Sequence, residues 1–154
     1  MLVLPEDVWL VKTDMNGYEM WNRTYGSAGK THGYYVVQTV DGGYALVGSD
    51  TSSSDNSDVW LVKTDADGNE LWNHTYGGPE TDLARIVVAT SDGGYAIIGI
   101  TQSFGAGKMD FWLIKTNEYG IVPEAKWVIL PLMATATLAI LITKKKPHTH
   151  PKAT

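Results

Sequence analysis

Short runs of alternating apolar and polar residues, separated by Gly-rich turns, fill residues 7–120. In "DVWLVKTD", starting at Asp7, alternation puts Val8, Leu10 and Lys12 on one face and Trp9, Val11 and Thr13 on the other. Asn-Gly or Asp-Gly follows, in "MNGYE" and "ADGNE". Those pairs accept the positive φ of a tight hairpin turn. A second run comes next, "MWNRTYG" or "LWNHTYG". Then come "YYVVQTV" or "RIVVAT", a "DGG" turn, and "YALVG" or "YAIIG". Apolar residues rarely recur at helical spacing here, so the pattern predicts four short antiparallel strands per unit.

The units repeat. The opening phrase at Asp7 returns unchanged at Asp58 and as "DFWLIKTN" at Asp110. Residues 7–26 match 58–77 at 15 of 20 positions, and 36–48 match 87–99 at 9 of 13. Between these blocks, 27–35 and 78–86 match at none. A four-stranded meander repeating every 51 or 52 residues predicts β-propeller blades. The expected fold is therefore all-β, a partial propeller of about two and a quarter blades over residues 1–120. Closed propellers use about four to eight blades. The chain is thus expected to be the C-terminal part of a larger propeller, with a ring of copies or a small open stack as alternatives.

The hydrophobic pattern changes after a linker at 121–126. Residues 127–143, "WVILPLMATATLAILIT", carry no charge and predict one transmembrane α-helix. Trp127 suits the headgroup boundary, and Pro131 falls near the first turn, where a helix tolerates it. Lys144, Lys145 and Lys146 end the span and begin a basic tail over 144–154. The positive-inside rule puts that tail in the cytoplasm and the repeats outside the cell membrane. The start, "MLVLPEDVWL", lacks the parts of a secretory signal.

Net charge sharpens this division. Residues 1–123 sum to −9 and residues 124–154 to +4. An acidic body would repel nucleic acid. With no cysteine, disulfides, thiol nucleophiles and Cys-type metal sites are excluded.

Candidate chemistry is sparse. Meander topology puts the "DGG" and "DADG" turns at one edge of the sheets and the links 27–35 and 78–86 at the other. Variable loops on a rigid scaffold often carry binding. His32, Tyr34, Tyr35, Asp82 and Arg85 are therefore the candidate ligand face, for a glycan or a protein. "DADGNE" lacks the third alternate acid of a calcium loop and reads as a turn. His148 and His150 follow the apolar run and make no catalytic site. No catalytic, cofactor or metal residue is assigned, and no enzyme activity is expected. Asn22 and Asn73, in "NRT" and "NHT", are candidate N-glycosylation sites.

The "DGGY…WLVKTD…NG…W…YGG" pattern over residues 7–120 resembles repeats of large archaeal and bacterial cell-surface proteins. That resemblance implies a propeller-type architecture and a binding, adhesion or envelope role, with lipid and other repeats or copies of the chain as partners. Asp65, Gly68 and Trp72 also loosely resemble the tryptophan-docking repeat of quinoprotein propellers, although the spacing is one residue short and the Thr is missing. The alternative this raises is a propeller enzyme, quinoprotein-like or acting on polysaccharide; another is a gene fragment without independent function. "VPEAKWVILPL…KKK" resembles the sorting tails of archaeal surface proteins. That resemblance implies cleavage near Pro123 and replacement of the span by a lipid; the alternative is a helix that stays.

Overall fold

The computed structural model describes residues 6–26, 29–51 and 56–122, and the backbone of residues 128–130. Alternating sequence gives strands throughout. They are β1 (Val8–Thr13), β2 (Glu19–Tyr25), β3 (Thr31–Gln38), β4 (Tyr44–Asp50) and β5 (Asp58–Thr64). The rest are β6 (Glu70–Tyr76), β7 (Asp82–Ala89), β8 (Tyr95–Thr101), β9 (Asp110–Thr116) and β10 (Val128–Leu130). The described residues are all-β, and sequential strands pair antiparallel. They form an N-terminal two-stranded sheet, β1–β2, a middle sheet, β3–β4–β5–β6, and a C-terminal sheet, β7–β8–β9–β10.

Repetition in sequence is repetition in register. Tyr44 lies opposite Thr64 and Asp50 opposite Asp58; one unit later Tyr95 lies opposite Thr116 and Thr101 opposite Asp110. The turns repeat as well. Asp14 Oδ1 accepts the N–H groups of Asn16 and Tyr18, and Asp65 Oδ1 accepts those of Asp67 and Asn69. Asn117 Oδ1 does the same for Tyr119 and Ile121. Each turn places a Gly at positive φ, with Gly68 at 77°. Internal hydrogen bonding thus satisfies the "DADG" turn as a hairpin connection.

The two central strands of the middle sheet, β4 and β5, are buried on both faces. Ala45, Val47, Val59 and Leu61 pack against Val87, Tyr95, Ile97, Trp112 and Ile114 of the C-terminal sheet. On its other face Leu46, Trp60 and Val62 pack against Tyr25, with Val8 and Leu10 alongside. The three sheets are also laced at one edge. The Tyr25 hydroxyl donates to Gly68 O, and that of Tyr76 to Gly120 O, both at 2.6 Å. Each bond ties the last strand of one sheet to the turn of the next.

The N-terminal end of the expected helix pairs as a strand. Val128, Ile129 and Leu130 form β10, paired with Leu113, Trp112 and Phe111 of β9. Residues 128–130 are thus strand where the sequence pattern places the start of the helix. β9 offers unpaired backbone groups on that side, β10 takes the place β6 holds beside β5, and Val and Ile favour strands. Trp127, Pro131, Lys144, Lys145 and Lys146, with the rest of the predicted span and tail, lie outside the described residues. No helix among the described residues is long and apolar enough to cross a membrane.

One side chain occurs in three environments. Trp9 is 65% exposed, Trp60 3% and Trp112 0%, although all three occupy the same repeat position. Replacing each with Ala should separate them in urea unfolding. Trp60→Ala and Trp112→Ala should each cost about 3–5 kcal/mol, and Trp9→Ala under about 1 kcal/mol. Equal costs would show that Trp9 is packed in solution.

Candidate functional site

The constant turns meet between the middle and C-terminal sheets and leave a groove of about 390 Å³. Trp72, Tyr95 and Tyr119 give it an aromatic wall, and Asp41, Glu118 and Lys63 bring charge. β5 and β6 position Lys63 and Trp72, β8 opens with Tyr95, and the β3–β4 turn holds Asp41. The Trp72 ring meets Tyr95 edge-on at 5.8 Å and lies 5.3 Å from His74. His74 Nε2 in turn sits 3.0 Å from Tyr119 O, which ties the C-terminal turn to β6. Burial pushes the Tyr95 hydroxyl up to about 12, so it stays neutral.

Asp41 is a fixed anion. Lys63 Nζ lies 2.8 Å from its Oδ2 and also donates to Thr64 O at 2.7 Å. The Lys63 hydrogen bond, followed by one from Thr39, holds the Asp41 carboxyl at about 2. The arrangement recurs one unit on. Lys115 Nζ lies 2.8 Å from Asp92 Oδ2, and Lys115 and Thr90 hold that carboxyl well below its ordinary value. Repeated Lys and Asp positions therefore carry structural ion pairs that bridge neighbouring strands of one sheet. Lys63 is buried, whereas the Lys115 side chain is half-exposed.

The variable-link residues behave differently from expectation. His32, Tyr34 and Tyr35 lie within β3, and Asp82 and Arg85 within β7, not in loops. Thr31–Gly33 and Asp82–Ala84 continue the ladder with β4 and β8, so the C-terminal parts of the variable segments are strand. Tyr34 and Arg85 fall at the two bulges, where one residue is skipped in the register. A Cβ at Gly48 would lie 1.8 Å from His32 O, so the bulge needs the glycine beneath it.

Asp82 is removed from any ligand face. It is fully buried; its Oδ2 accepts from Gly78 N–H at 2.9 Å and from the Ser103 hydroxyl at 2.6 Å. It fastens the link ahead of β7. His32 Nε2 lies 3.1 Å from Glu6, and the Tyr34 and Ser49 hydroxyls lie 3.0 Å apart. Tyr35 and Arg85 are exposed. Asn22 and Asn73 are exposed on β2 and β6, and each amide donates at 2.6 Å, to Glu19 and Glu70. Among the described residues no cluster of three His, Cys, Asp or Glu side chains could hold a metal.

The groove was missed from sequence because it lies at the edge of the near-constant turns, and variability had directed attention to the opposite edge. The available signal was exposed apolar residues at or beside the turns, such as Val40, Leu71 and Tyr119.

No family model matches the chain. Among curated proteins, the regulatory protein FlaEY of Caulobacter vibrioides is 27% identical over 111 residues. That stretch is 63% of this chain and 12% of FlaEY, so the chain spans about one eighth of the protein it resembles.

Asp41 supplies a pH dependence. Its folded value lies below the ordinary 3.8, so the unfolded chain takes up the proton first as pH falls. The stability it contributes is full above about pH 4 and is lost as pH falls through about 2. Asp41→Asn should flatten acid unfolding across that window. At pH 7 it should cost about 1–2 kcal/mol, discounted for the carboxylate's exposure, because it strips buried Lys63 of its counter-charge. Asp92→Asn, beside the half-exposed Lys115, should cost less than Asp41→Asn because solvent screens the pair. Thermal melts against pH measure both.

Proposed function

We propose that the chain is a binding module of a cell-surface repeat protein, with its sheets acting as propeller-type blades outside a membrane. One observation carries the reading: aromatic rings, the fixed Asp41 carboxylate and that of Glu118 converge on an open groove between two sheets. Flat aromatic faces suit the CH faces of a sugar, and acceptor oxygens suit its hydroxyls. Asp41 is neutralised by Lys63 and poised far from neutral pH, which fits recognition better than proton transfer. The ligand class favoured is therefore a glycan.

Residues 127–143 would anchor the module, with Lys144, Lys145 and Lys146 on the cytoplasmic side. Anchoring requires 128–130 to leave β10. Residues 131–143 alone would span about 20 Å, short of a hydrocarbon core of about 30 Å. The short likeness to the much longer FlaEY fits a repeat that forms part of larger arrays.

Two measurements test this. On a glycan array, Tyr119→Ala and Glu118→Gln should each lower binding at least tenfold with the melting temperature unchanged, because both lie at the groove mouth. A full chain that binds no glycan, or variants that bind as well as it does, would overturn the site. Deleting 127–143 should move the protein from the membrane fraction to the soluble fraction; retention would overturn the anchor.

A further inference from the structure

We propose that the outer edge of β1, with the groove beside it, docks a β-hairpin of the chain's own repeat type, held by strand addition. The inference does not depend on glycan binding or on the membrane anchor.

The molecule holds two filled versions of this site. β5 pairs with β4 on one side and β6 on the other, and β9 pairs with β8 and β10. β1 has the same residues as β5 from Val59 to Thr64, yet among the described residues it pairs with β2 alone. A free strand edge presents a row of N–H and C=O groups to a further strand.

The face beside that edge is uncovered in the same way. Val87 of the C-terminal sheet is 0% exposed beneath the middle sheet. Its counterpart one unit earlier, Val36, is 43% exposed. Tyr95 is buried, and its counterpart Tyr44 is half-buried. Two grooves, of about 490 and 280 Å³, flank β1 here, and Leu10 and Val36 line both. This is the place that a strand pair like β3–β4 would fill.

Charge specifies the occupant. Lys63 and Lys115 each bind the Asp of the "DGG" turn in the strand pair ahead of them. Lys12 holds the same repeat position. Among the described residues no carboxylate lies within ion-pair distance of it. Its Nζ instead sits 5.8 Å from the Trp21 ring and 5.7 Å from the Tyr44 ring, and 3.5 Å from Ala66 O.

An incoming Asp-Gly-Gly-Tyr hairpin satisfies all three features together. By the register of β4 on β5, its Tyr falls opposite Thr13 and its strand runs antiparallel to Asp7. Its turn Asp reaches Lys12. Positions equivalent to Val37, Ala45 and Val47 then cover Val36, Tyr44 and Leu46, as the originals cover Val87, Tyr95 and Ile97.

The probe is a fluorescent synthetic peptide with the sequence of residues 31–50, added to the full chain in mild detergent. Saturable one-to-one binding is expected, with at least tenfold slower hydrogen exchange along β1. Asp41→Asn in the peptide, or Lys12→Met in the chain, should each weaken binding about tenfold. The two together should cost no more than either alone, since they remove one shared contact. Unchanged circular dichroism of Lys12→Met confirms that it folds. Equal binding by a scrambled peptide, indifference to both substitutions, or no slowing at β1 would overturn the proposal. So would an edge already protected in the chain alone, which would mean that its own tail occupies the site.

Discussion

The structure depends on apolar burial across two sheet interfaces at once. Val47, Val59 and Leu61 leave water only because the C-terminal sheet covers them. Trp60 and Val62, from the same strand, leave water only because the N-terminal pair covers the opposite face. A single four-stranded sheet would expose one of these sets. Burial of apolar area, at about 25 cal/mol per Å², therefore rewards stacking and not any one sheet. The chain behaves in this respect as a repeat array, where each unit is completed by its neighbours.

Polar groups determine how the sheets are aligned. In the middle and C-terminal sheets the lysine–aspartate pairs join the third strand to the turn between the first two. The tyrosine hydroxyls cross from one sheet to the turn of the next. A buried hydroxyl without a partner is costly, so each bond penalises slippage between sheets. These contacts recur at one edge, where the aromatic groove also opens. The groove is thus a consequence of stacking: neither sheet alone supplies both Trp72 with Asp41 and Tyr119 with Glu118.

Much of the fold was legible in the residues. The alternation in "DVWLVKTD", the Asp-Gly turns and the period of 51 correctly implied strands, hairpins and a repeated four-stranded meander. The candidate site was less legible. His32, Tyr34 and Tyr35 lie in β3 because hydrogen bonding to β4 continues through the variable link. Backbone pairing does not require matching side chains, so sequence variation did not mark a loop. Asp82 was expected on the candidate ligand face, yet the turn it fastens needs an acceptor in the interior.

Local sequence was enough to determine strand, turn and face, because alternation and turn chemistry act over a few residues. Environment was beyond its reach. Val8–Thr13 and Val59–Thr64 are the same six residues, yet one strand is buried throughout and the other is part-exposed and, among the described residues, paired on one side. Only the presence or absence of sheets on either side decides that, and such neighbours come from distant parts of the chain. Identical local forces therefore produced identical strands, and long-range packing decided which of them became core.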